Sequence, residues 1–360
     1  MMSKQSIVPF GPQHPVLPEP IHIDLVLEDE KVIEAIPSIG FIHRGLEQLA
    51  EKRDFNDYQY VVERTCGICS FGHGLGYCEA LEAIFNAEVP ERAKFLRTFW
   101  FEMSRIHSHL LWLGLLADAF GFDALFMQAW RMREKVLDMF EESTGGRVIF
   151  SVNKIGGVLK DMDSSMINSF VDILNGMEKD IRKMTNVFLN DYSVQKRLKG
   201  VGILTKEDAH RLSAAGAMAR ASGIEMDMRK TGYEAYDKID FDIITSNDCD
   251  GYARCAVRIG EIFQSIEIIR QCAQKMPQGS ICNPQKGNPN GEAFVRIEQP
   301  RGEAIYYAKA NGTKFLERFR IRTPTFTNIQ SLIHILPGSE FADVPMQVLT
   351  IDPCISCTER

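Results

Sequence analysis

The sequence lacks the long apolar run that a membrane span requires. Its longest stretch of this kind, Leu110 to Ala117, ends at Asp118, well short of the roughly 18 residues needed. Positive charge is also in short supply: 41 Lys and Arg stand against 48 Asp and Glu, a net charge of -7. That is the wrong sign for a surface that tracks phosphates, so nucleic acid is excluded as a partner class. The opening MMSKQSIVPF has no continuous apolar segment and no small-residue cleavage site, so no cleaved export signal is expected and a cytoplasmic location is the default. Cysteine is sparse and odd in number, nine in 360 residues, which excludes a disulfide-stapled scaffold in a chain able to bury its own core. No solenoid-length repeat or low-complexity segment interrupts the chain.

What is present is ample apolar material. Hydrophobic residues make up 45% of the chain, enough for a sizeable core, and its 360 residues allow two or three domains. Residues 21 to 39 alternate apolar and polar around an acidic turn, Glu28 to Lys31, as in a half-buried hairpin. From Pro90 the period becomes helical, with Phe95, Phe99, Met103 and Ile106 on one face. The pattern predicts two long helices up to about Phe140, divided near Gly121. Further helices are predicted over 164–189, 206–221 and 252–275, the last with Ile259, Ile262, Phe263 and Ile266 as its buried stripe. After the turn-rich MPQGSICNPQKGNPNG, β-type alternation returns in AFVRIEQPRGEAIYYAKANG. The expected fold is α+β and predominantly α, a central bundle of long helices flanked by small antiparallel β elements. The expected division is a β region over 1–60, a helical bundle over 61–285 and a hairpin with the C-terminal segment over 286–360.

Spacing matters more than number among the cysteines. Cys66 with Cys69 and Cys354 with Cys357 form CxxC pairs, each able to offer two thiolates to a soft metal from one turn. Nearly the whole chain separates the pairs, whereas a zinc ribbon closes its halves over roughly 15 to 20 residues. On spacing alone, one shared metal site stands level with two unrelated structural pairs or a redox CxxC.

The flanking residues add a resemblance. ERTCGICSFGH around the first pair and IDPCISCTER at the second resemble the two cysteine motifs of nickel-iron hydrogenase large subunits. FGPQHP at 10–15 and HRGLE at 43–47 resemble the homologous quinone-site subunit of respiratory complex I, whose members lack the four cysteines. The joint pattern, spanning Phe10 to Arg360, is similar to the membrane-bound, energy-converting hydrogenases of the Ech and CO-induced type.

The resemblance implies that Cys66, Cys69, Cys354 and Cys357 bind nickel, and that Cys69 and Cys357 bridge to an iron carrying carbon monoxide and cyanide. It implies that Glu19 accepts protons from Cys354, and that Glu47 helps bind a second, hard cation such as Mg2+. The usual partner position for that cation is occupied by Arg360, which cannot ligate a metal, so a Glu47–Arg360 ion pair is an equal alternative. Arg301 is expected over the metals, paired with Asp118 or Asp352. Arg64 is expected to hydrogen-bond a thiolate or cyanide, and His73 to donate to a bridging sulfur. His14 resembles a quinone-site residue. His107 and His109, two residues apart, cannot share a helix face.

The function so implied is reversible reduction of protons to H2. The chain carries no cluster motif, so electrons would come from ferredoxin through an iron–sulfur small subunit with a proximal 4Fe-4S cluster. Ferredoxin-like and integral membrane subunits would hold the chain peripherally on the cytoplasmic side and couple electron flow to ion translocation. The alternatives are a complex I-like or sulfur-reductase-type coupling subunit without a complete nickel-iron centre, and a zinc-stabilised scaffold.

Overall fold

The computed structural model describes residues 5–360. At the N-terminus three antiparallel strands, β1 (Gln5–Phe10), β2 (His22–Glu28) and β3 (Lys31–Ser38), pair in chain order. Ile23, Leu25 and Leu27 alternate inward along β2 and are buried, the pattern a sheet with one covered face demands. Asp29 takes the left-handed conformation (φ 56°) at the acidic turn. The alternation did not announce β1, which pairs along its whole length with β2.

The helices follow: α1 (Phe55–Val62), α2 (Ser70–Phe85), α3 (Glu91–Ala119), α4 (Asp123–Thr144), α5 (Ser164–Asn190) and α6 (Gly251–Lys275). Gly121, at φ 77°, ends α3 where the break was expected. Asp163 and Asp250 cap α5 and α6, accepting from the Met166 and Ala253 amides at 2.8 Å. α3 packs against α4 and α6, and α5 packs against the same two helices. No helix among the described residues is long and apolar enough to cross a membrane.

The helix expected over 206–221 is instead two short ones, Lys206–Arg211 and Ala217–Arg220. Ser213 (φ 54°) and Gly216 (φ 64°) turn the chain between them. Gly216 lies so close to the Pro300–Arg301 turn that a Cβ there would come within 2.2 Å of the Arg301 carbonyl oxygen. Periodicity is blind to this break, because a distant segment imposes it.

The ladder β4 (Asn153–Lys154) with β5 (Gly157–Val158) precedes the second main sheet. That sheet, β6 (Asn290–Gln299), β7 (Gly302–Asn311) and β8 (Leu316–Arg322), is antiparallel, and α2 lies on β6 and β7. Gln299 pairs with Gly302, leaving Pro300 and Arg301 as a two-residue turn. Helices α7 (Pro324–Ile335) and α8 (Ile355–Glu359) complete the chain.

Charges are buried along α3 as well as apolar groups. Glu102 accepts from the Ser265 hydroxyl at 2.6 Å and the Tyr236 hydroxyl at 2.5 Å, and pairs with Arg105 at 3.2 Å and Arg229 at 3.3 Å. His109 meets Glu261 at 2.9 Å, and Glu261 also pairs with Arg220 at 2.8 Å. A buried ion is tolerated only while its partners remain. Glu102→Leu should therefore lower the unfolding free energy by about 3–5 kcal/mol, by leaving Arg105 without a paired carboxylate and Arg229 with Asp227 alone. Denaturant titration checks this, and a loss below about 1 kcal/mol would mean that the network carries little of the stability.

Candidate metal centre

Cys66 is extended after a single 3-10 turn, Glu63–Thr65, and Cys69 immediately precedes α2. Cys354 immediately precedes α8, and Cys357 lies within it. The four sulfurs converge within 4.8 Å of one another and all four residues are buried. With metal–thiolate bonds of about 2.3 Å, tetrahedral thiolates stand about 3.8 Å apart, so the cluster has the size of one shared site. The Cys66 and Cys354 sulfurs are 3.2 Å apart, too far for a disulfide. Among the described residues no other group of His, Cys, Asp and Glu is gathered in this way.

The electrostatics also call for a cation. Thiol donation from Cys354 holds the Cys66 thiol well below its ordinary range, while burial pushes the Cys357 thiol well above it. Four sulfurs this close cannot all ionise without a positive charge among them. A soft metal supplies that charge and suits sulfur donors.

Arg301, Asp352 and His73 stand directly around the sulfurs. Arg301 donates from Nη1 to the Cys69 sulfur at 3.2 Å, from Nη2 to Asp352 Oδ1 at 2.8 Å and from Nε to the Asp352 carbonyl at 2.8 Å. The contact between Gly216 and Gly302 seats the turn that carries Arg301. Asp352 Oδ2 is buried and has no hydrogen-bond partner among the described residues. His73 Nε2 lies 3.3 Å from the Cys357 sulfur. Burial pushes the imidazole down to about 4, so it is neutral near pH 7.

Glu19 reaches the start of α8 from the N-terminal loop. Its carboxylate accepts from the Ser356 amide at 3.0 Å and also from the Ile355 amide and the Ser356 hydroxyl, one residue from Cys354. Glu47 is held by three donors. It accepts from Arg360 Nε at 2.8 Å, from the Ile321 amide at 2.9 Å and from Arg320. Two guanidiniums therefore face Glu47, and the expected ion pair to Arg360 is present.

Two expected site residues face elsewhere. Asp118 is exposed at the C-terminal end of α3, because its register on that helix turns it outward, and Asp352 alone pairs with Arg301. Arg64 is also exposed and donates back to the Tyr60 carbonyl, since the turn before Cys66 directs its side chain away from the sulfurs. His14 packs against Phe10, the two rings tilted by 36° with centroids 4.3 Å apart. His43 bonds the Glu359 carbonyl and His107 accepts from Arg133 Nε.

Sequence reasoning missed the residues that bind the two cysteine loops together. Arg44, inside the HRGLE segment, donates to the Thr65 carbonyl at 2.7 Å and the Ser356 carbonyl at 3.1 Å. Glu359 accepts from the Gly40 amide at 2.6 Å and the Ile42 amide at 2.5 Å. The signal for both was the nearness of these charges to motifs already singled out.

Comparison with known proteins bears on this site directly. Residues 44–118 match the model for "Nickel-dependent hydrogenase". Residues 119–288 and 284–360 match that for "Respiratory-chain NADH dehydrogenase, 49 Kd subunit". The chain belongs to this family of oxidoreductases. The carbon monoxide-induced hydrogenase of Rhodospirillum rubrum is 39% identical, over 98% of this chain and 99% of that protein. The membrane-bound hydrogenase subunit alpha of Pyrococcus furiosus is 35% identical, over 98% of this chain and 87% of its own. A chain of the membrane-bound sulfane sulfur reductase, an archaeal respiratory membrane complex, superimposes with a TM-score of 0.95 at 30% identity, covering 99% of this chain and 98% of that one.

Proposed function

We propose that the chain is the catalytic subunit of an energy-converting nickel-iron hydrogenase that reduces protons to H2 reversibly. Electrons come from ferredoxin through an iron–sulfur partner subunit, and ion translocation is coupled through membrane partners on whose cytoplasmic side the chain sits. The observation that carries this reading is the convergence of four buried thiols from opposite ends of the chain beneath one guanidinium.

Cys66, Cys69, Cys354 and Cys357 would hold the nickel-iron centre, with carbon monoxide and cyanide on its iron. When bound, the centre supplies soft, redox-active metals at which H2 is made or split. The protein's part is to hold, orient and exclude. Arg301, fixed at two points by Asp352, keeps a permanent positive charge beside the sulfurs. Burial of all four thiols keeps bulk water away. Glu19 takes the proton released at Cys354 and passes it outward at its carboxylate oxygens, next to the Ser356 hydroxyl.

The intact complex tests this. The expected result is stoichiometric nickel and iron, infrared bands of metal-bound carbon monoxide and cyanide, and H2 evolved from reduced ferredoxin. Zinc in place of nickel, with no such bands, would remove the reading. The sulfane sulfur reductase neighbour favours a second reading, reduction of sulfur–sulfur bonds. A complex that consumes polysulfide and evolves no H2 would establish that one instead.

A further inference from the structure

A run of buried hydrogen bonds leads from the β6–β7 hairpin to the Cys357 sulfur. Gln299 Nε2 lies 2.7 Å from the Tyr306 hydroxyl, which lies 3.0 Å from His73 Nδ1. His73 Nε2 in turn faces Cys357 at 3.3 Å. All four residues are buried, so the order of donors is set within the chain itself.

That order can be deduced from one end. A ligating Cys357 is a thiolate, which only accepts. His73 must then carry its proton on Nε2, leaving Nδ1 as an acceptor. The Tyr306 hydroxyl must donate to it, and the Gln299 amide donates to the Tyr306 oxygen. Burial pushes the Tyr306 phenol well above its ordinary range, which keeps the donating proton in place.

The backbone is shaped to bring these groups together. Gly72 and Gly76, one turn apart on α2, flank His73. A Cβ at Gly76 would lie 2.3 Å from the Tyr306 ring, and one at Gly72 would lie 2.9 Å from the Gln299 amide carbon. The two glycines form a slot in which the phenol and the amide approach the helix. Behind the ring, Phe319 stacks at a centroid distance of 6.4 Å.

We propose that Tyr306 is a positioning residue: by donating to His73 Nδ1 it holds the tautomer whose Nε2–H donates to Cys357, and so sets how strongly that sulfur donates to a metal. The proposal rests on the hydrogenase reading for its consequence at the metal, and for the tautomer it needs only that Cys357 ligates some metal as a thiolate. A sulfur relieved of this hydrogen bond is the stronger donor.

Tyr306→Phe keeps the ring in its slot and removes only the hydroxyl. In the intact complex with full nickel and iron, the carbon monoxide band of this variant should move to lower frequency, in the same direction as in His73→Leu and by less. Gln299→Leu should give a smaller shift of the same sign. In solid-state spectra of complex labelled with 15N-histidine, the His73 signal, identified by its loss in His73→Leu, should report protonated Nε2 in the wild type and change in Tyr306→Phe. Unshifted infrared bands in fully metallated Tyr306→Phe, or an unchanged His73 nitrogen signal, would overturn the proposal. A wild-type complex with another metal, such as zinc, on the four thiols and none of these bands would remove the hydrogenase reading, while the nitrogen signal would still decide the tautomer; a complex with no metal there would overturn both.

Discussion

Cys354→Ser should lose nickel and H2 chemistry together. The Cys354 sulfur is buried, 3.2 Å from that of Cys66 and within 4.8 Å of the other two, so it is an integral member of the four-sulfur set. A serine hydroxyl is a harder donor and stays protonated near neutral pH, so the site loses both affinity for a soft metal and one negative charge. The same outcome is expected for Cys66→Ser. Cys255→Ser is the control. That thiol is buried in α6, pushed up to about 12 by its burial, and its replacement should leave nickel in place. Nickel per chain by elemental analysis, together with H2 evolution, checks the prediction. A Cys354→Ser complex with full nickel and normal turnover would remove the four-thiolate assignment.

Glu19→Gln should keep the metals and lose the proton traffic. The amide preserves the volume of the side chain and one acceptor oxygen for the Ile355 and Ser356 amides, but it cannot gain or lose a proton in the useful pH range. Loss of a positioned acid–base group costs about 10²–10⁴-fold, and that drop is expected in both H2 evolution and H/D exchange. Nickel, iron and the infrared bands should remain. Glu19→Asp should keep partial activity, limited by its shorter reach. The structure gives this test its edge, because Glu19 also caps the loop that holds Cys354 and Cys357. If that cap were its whole role, activity would fall only in step with metal content. Near-normal H/D exchange in fully metallated Glu19→Gln would exclude Glu19 as the obligatory first proton acceptor.

Much of the fold was legible in the sequence where a local signal existed. Apolar periodicity marked α3, α4, α5 and α6, Gly121 marked the break between the first two, and alternation marked β2, β3 and the β6–β7 hairpin. These features depend on interactions within a few residues along the chain. The double helix break between Arg211 and Ala217 was not legible, because the β6–β7 turn imposes it from 85 or so residues away, by the approach of Gly302 to Gly216. β1 was missed for a similar reason, since its partner, and not its own pattern, makes it a strand.

The site divides along the same line. The sequence by itself determined the donor chemistry: two CxxC pairs in distinctive surroundings, a candidate arginine in QPRG, a histidine four residues past Cys69 and a glutamate among prolines. Cysteine spacing alone left open whether the thiol pairs were one site or two, the flanking motifs only resembled a family in which they are one, and the sequence offered Arg301 two partners. Only the tertiary structure decided these. It brought the four sulfurs together, gave Arg301 to Asp352 and turned Asp118 and Arg64 outward. It also neutralised Glu47 with Arg320 and Arg360, and it set Tyr306 and Gln299 behind His73. The physical reason is that residue type fixes what an atom can donate, accept or ligate, whereas which atoms meet is fixed by helix register and by the close backbone approaches that Gly72, Gly76, Gly216 and Gly302 permit between segments far apart in the chain.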